Sequence, residues 1–61
     1  MMVKTYLKAH PDIKEFWIMA GEFDYCLCKV DNQDHMSMFG RKKIKEIEPP
    51  PEDGELIAFH I

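Results

Sequence analysis

Only two cysteines, three glycines and one serine occur among the 61 residues, and each shortage removes a class of protein. Cys26 and Cys28 are alternate residues, so on a strand they share one face, and a bridge between them would strain the backbone. With no second pair there is no disulfide framework, and the free thiols point to a reducing compartment. The lone serine, Ser37, leaves no serine–histidine–aspartate set, and no glycine-rich stretch forms a phosphate loop. No apolar run approaches the ~20 residues of a membrane span, and the first residues lack a signal-peptide pattern. These absences predict a cytoplasmic protein that is not an enzyme, needs no cofactor and makes no membrane contact.

Basic residues are also in deficit. The net charge is −3, and an acidic chain repels phosphate backbones, which argues against nucleic acid as a partner. One basic stretch exists, Arg41-Lys42-Lys43 with Lys45, and its plainer reading is the solvated face of a helix. Directly after it Glu46, Glu48, Glu52, Asp53 and Glu55 follow with no base among them.

Apolar bulk is what the chain has in excess: five Met, four Phe, two Tyr and one Trp. So short a chain makes one domain, residues 1–61, and buries only about 60% of the surface its unfolded form exposes. Domains of this size draw further stability from disulfides, a metal or a partner chain. Methionine adapts to varied surfaces and tryptophan is enriched at binding hot spots. The surplus therefore predicts association with another protein chain, a second copy or a larger target, with room for a small metabolite at the interface.

Along the chain, Met1 to Ala9 fits two patterns. Val3, Thr5, Leu7 and Ala9 alternate as in a strand, while Val3, Tyr6 and Leu7 make a helical stripe. His10-Pro11-Asp12 ends the element, because a residue before proline leaves helical geometry. Ile13 to Ala20 is apolar on both faces, with Phe16, Ile18 and Ala20 opposite Ile13, Trp17 and Met19, as expected of a central strand. Gly21-Glu22 suits a tight turn, and Phe23, Tyr25 and Leu27 then alternate with Cys26, Cys28 and Val30 in a second strand. Asn32 or Asp34 is placed to cap a helix. Met36, Phe39, Ile44 and Ile47, spaced three, five and three apart, favour that helix over a hairpin turning at Gly40-Arg41. Pro49-Pro50-Pro51 forms an extended spacer, Asp53-Gly54 a turn, and Glu55 to Ile61 a closing strand. The predicted fold is α+β, an antiparallel sheet of three or four strands with one or two helices on one face; a small all-β barrel is the alternative.

The residues expected at the interface are Trp17, Met19, Gly21, Asp24, Tyr25, Met36, Met38, Phe39, Glu48, Glu52, Asp53 and Glu55. A second chemistry is weaker in the sequence. Cys26 and Cys28 with His35, joined by His60 or His10, make a sufficient zinc ligand set. The C-x-C spacing on a strand is not the knuckle that usually wraps a metal, however, and buried cysteine commonly serves as a small hydrophobe. No metal site is predicted.

Pro11-Asp12-Ile13-Lys14-Glu15, followed by Gly21-Glu22-Phe23-Asp24-Tyr25-x-Leu27-x-x-Val30, resembles the effector-binding domain of the leucine-responsive and asparagine-operon (feast/famine) regulators. The likeness covers Pro11 to Val30, about a third of the chain, and beyond that only element order. It implies a βαββαβ module that assembles through its sheet, with Gly21, Asp24 and Tyr25 near the effector or subunit contact. Met1 to Ala9 is too short for that module's first strand and helix, and its DNA-binding helix-turn-helix has no counterpart here. Two readings therefore stand. One is a stand-alone oligomerising effector-binding module. The other is a small acidic inhibitor, of the kind mobile elements encode, that occludes a larger protein or its nucleic-acid-binding groove.

Overall fold

Val3 and Leu7, four residues apart, are both buried, with Tyr6 half-buried between them. This stripe makes the first element a helix, α1 (Val3–Ala9), in the computed structural model of the protein. The alternating, strand-like reading of Met1 to Ala9 gives way to the helical one. The structure describes residues 1–21 and 24–61; Glu22 and Phe23, part of the expected turn and second strand, lie outside the described residues. The N-cap Met2 offers α1 no side-chain bond. Two carbonyls from far along the chain do that work instead. Val3 N–H donates to Lys42 O at 3.0 Å and Lys4 N–H to Gly40 O at 2.9 Å, so two of the helix's orphan donors are satisfied through tertiary structure.

Strand β1 (Glu15–Ala20) follows and pairs antiparallel with β2 (Asp24–Lys29), Phe16 opposite Cys28 and Ile18 opposite Cys26. Gly21, at the end of β1, has φ +77°, a conformation that costs most other residues about 1 kcal/mol or more. Asn32 caps the second helix, α2 (Gln33–Phe39), its side-chain oxygen accepting from His35 N–H at 3.1 Å. The helix expected to continue through Ile44 and Ile47 stops at Gly40. Ile47 lies instead in a short strand, β3 (Glu46–Glu48), and Ile44 in the connection before it. The 3-5-3 apolar spacing thus spans two elements and a loop.

The closing strand, β4 (Ala58–His60), is shorter than the predicted Glu55–Ile61. It pairs antiparallel with β3 and parallel with β1, giving a four-stranded mixed sheet in the order β2-β1-β4-β3. The architecture is α+β as predicted, but one of its pairings is parallel. Strand β1 is central, as its two apolar faces implied.

Phe16, Ile18, Cys28 and Phe59 line one face of the sheet, and α1 packs Val3 and Leu7 onto them. Met36 and Phe39 of α2 pack against the same cluster. Phe59 anchors it, meeting Phe16 and Tyr6 edge-on at ring-centroid distances of 5.5 and 5.3 Å. Among the described residues no polar or charged side chain is buried.

Gly40 lies where α2 ends and the cap on α1 begins. A Cβ built there would meet the Met36 carbonyl oxygen at 2.5 Å, with Lys4 Cβ at 3.5 Å. Gly40→Ala is therefore expected to destabilise the protein by about 1–3 kcal/mol, the cost of overpacking a tight site. Urea titration checks this: the midpoint should fall while the slope stays unchanged.

Candidate functional site

With both helices on one face, the opposite face of the sheet is left to its own side chains. The strand registers set Leu27, Trp17 and Ala58 in one row and Tyr25, Met19 and His60 in the next, with Glu48 and Glu46 at the β3 end of these rows. Trp17 meets Tyr25 edge-on at 5.6 Å. Tyr25 is 66% exposed and Leu27 42%, while Trp17 and Met19 are half-buried. A hollow of about 290 Å³ opens beside this patch, with Trp17, Met19, Tyr25, Glu48, Glu55 and Leu56 among its walls. The patch is thus apolar toward β2 and acidic toward β3 and the 49–57 loop. His60 Nε2 lies 3.9 Å from Glu48 Oε2, an exposed pair that adds little stability.

The predicted interface residues separate into groups. Trp17, Met19, Tyr25 and Glu48 come together on the open sheet face, and Glu55 reaches the same hollow from the loop. Glu52 and Asp53 are exposed farther along that loop, and Gly21 is exposed after β1. Met36 and Phe39 pack against the core from the helical side, where Met38 is 55% exposed. Asp24 shares the helix-side face of β2 with Cys26 and Cys28. Leu27, absent from the expected set, belongs to the patch. Its alternation with Cys26 and Cys28 was the signal available in the sequence.

A second cluster lies on the helical side, at the edge strand β2. Cys26 and Cys28 point to the same face, and α2 brings His35 back over them, so that one ligand atom from each lies within 4.8 Å of the other two. Cys28 is fully buried, while Cys26 and His35 are half-buried. Of the zinc ligand set the sequence offered, Cys26, Cys28 and His35 do come together, the histidine arriving from another element. His10 instead stacks on Tyr6 at 4.2 Å, and His60 lies on the opposite sheet face, so neither joins the set. Lys29 N–H donates to His35 Nδ1 at 3.1 Å, fixing the ring against the strand. The Cys28 thiol contacts the Cys26 carbonyl oxygen at 3.7 Å.

Burial pushes the Cys28 thiol from its ordinary 9.0 up to about 12, with the contact to Cys26 and the charge of Cys26 adding to the shift. A thiol held protonated at neutral pH is a poor nucleophile, which makes Cys28 itself unsuited to attack. Another hollow, of about 650 Å³, lies between the α1–β1 connection and the 49–57 loop. It is lined by Tyr6, His10, Asp12, Lys14, Glu15 and Glu55 among others.

Comparison with protein-family models, with curated proteins and with solved structures finds no match to this chain.

Because the folded state holds the Cys28 proton more tightly than the unfolded chain, this thiol's contribution to stability is fully present below pH 9. It is lost as the pH rises toward about 12. Thermal melts across that range should show declining stability, and Cys28→Ala should flatten the decline while lowering stability at neutral pH. An alkaline limb of equal steepness in the variant would reject this assignment.

Proposed function

We propose that this chain is a non-enzymatic binding protein that acts by associating with another protein through the open face of its sheet. The observation that carries this reading is the contiguous patch of Leu27, Trp17, Tyr25 and Met19 on the face opposite the helices. None of the five methionines, nor the tryptophan, is fully buried, as the excess of apolar side chains over available interior requires. Exposed apolar surface rimmed by polar groups is characteristic of interaction sites. A second copy is the first partner to consider, since two such faces stacked on each other would exclude water from both. The likeness of Pro11 to Val30 to the effector-binding domain of feast/famine regulators supports the same reading, because it sets Tyr25 near a subunit contact. A small metabolite held at that interface is the natural extension.

The acidic side of the patch favours a second reading. Glu46 and Glu48 flank the apolar rows, and Glu55 shares the hollow with Trp17. A larger target presenting an apolar anchor beside basic groups would match it, and charge complementarity would speed the encounter. That is the behaviour of a small acidic inhibitor.

Sedimentation at micromolar concentration tests the first reading. The chain should run as a dimer or larger, and Tyr25→Glu combined with Leu27→Glu should give a monomer with an unchanged far-ultraviolet circular dichroism spectrum. Both positions are exposed, so the folded monomer should lose no more than about 2 kcal/mol of stability, most of it from the Tyr25–Trp17 contact. A wild-type chain that stays monomeric at high concentration overturns self-association. The inhibitor reading then requires that reversing the charges of Glu46, Glu48, Glu52, Asp53 and Glu55 abolish capture of a target.

A further inference from the structure

We infer that Cys26, Cys28 and His35 form a binding site for a zinc-class metal ion, held by two thiolates and one imidazole. The inference goes beyond the association reading and does not depend on it, since the cluster lies on the other side of the sheet. Its basis is geometric: three side chains from two elements converge, with one ligand atom from each within 4.8 Å of the other two. The donor set, two sulfurs and one nitrogen, is the one zinc prefers.

Distances support it. Zinc bonds of ~2.3 Å to sulfur and ~2.0–2.1 Å to nitrogen, arranged tetrahedrally, put ligand atoms about 3.5–3.8 Å apart. The three ligand atoms already lie within 4.8 Å of one another, so the site closes by about 1 Å of side-chain movement. Three protein ligands leave the fourth position to water. Such a clamp would tie α2 to the edge strand in a domain whose own core is small, and chains of this size are commonly stabilised by a structural metal.

The proton balance makes a specific demand. Loading one divalent ion releases two thiol protons to solvent. In the metal-free state Nδ1 of His35 accepts from Lys29 N–H, so the proton of a neutral ring is on Nε2. If the ion takes Nδ1, it displaces the Lys29 N–H. If it takes Nε2, the ring proton must move to Nδ1, which then ceases to accept. Either way the Lys29 amide loses its acceptor.

Cobalt(II) titration of the chain, kept reduced with a phosphine, is the test, with zinc as competitor. One equivalent should produce thiolate-to-cobalt charge-transfer absorption and the intense visible bands of tetrahedral cobalt, both erased by zinc. Saturating zinc should shift the Lys29 amide resonance and hasten its hydrogen exchange. Cys26→Ser and His35→Ala change half-buried residues outside the innermost core, so both should stay folded by circular dichroism. Each should weaken binding by at least about 100-fold, since even outer-sphere changes cost 10–100-fold. The variant carrying Tyr25→Glu and Leu27→Glu, altered on the other face, should keep the absorption whatever the association experiment returns. No charge-transfer band at stoichiometric cobalt overturns the proposal. So does a band that persists in Cys26→Ser, or zinc binding that leaves the Lys29 amide unchanged.

Discussion

Strand β1 is the member on which every other element depends. It is hydrogen-bonded on both edges, antiparallel to β2 and parallel to β4, and it contributes Phe16 and Ile18 to the core. Its partners could not assemble without it, since β2 and β3 are edge strands and β4 supplies only three residues. The same strand divides the protein chemically. Phe16 and Ile18 face the helices and are sealed, whereas Trp17 and Met19 face the other way and are not. A strand apolar on both sides serves two purposes here, one cohesive and one outward-looking.

The two edges of the sheet differ in a way that matches this division. Strand β3 is three residues long with glutamate at each end, a form of edge that discourages strand addition. Strand β2 is longer and carries Tyr25 and Leu27, with the Lys29 amide turned to His35. The edge that is least protected by charge is thus the one next to both constellations, the aromatic patch on one face and the thiol–imidazole group on the other.

Legibility followed the range of the interactions. Strands β1 and β2 were readable because alternation with period two is written in neighbouring residues, and so was the split between Phe16 and Trp17. The helical cap at Asn32 was equally local. Residues 1–9 satisfied helical and extended patterns alike, and the contacts that decide between them come from Gly40 and Lys42. The run from Met36 to Ile47 misled for a related reason: apolar spacing continues across Gly40 although the backbone changes element there. The parallel alignment of β1 with β4 has no local signature at all. Nor does the approach of His35 to the cysteines, which depends on the direction in which α2 leaves β2.

The carbonyls of Gly40 and Lys42 that close the start of α1 also impose an order of events. A seven-residue helix is too short to persist by itself in water. Its donors find acceptors only after the segment following α2 has folded back on it. During synthesis, then, α1 leaves the ribosome ahead of the segment that caps it and acquires its shape late. Until Phe59 has emerged to complete the core, Val3 and Leu7 remain open to chaperones and proteases.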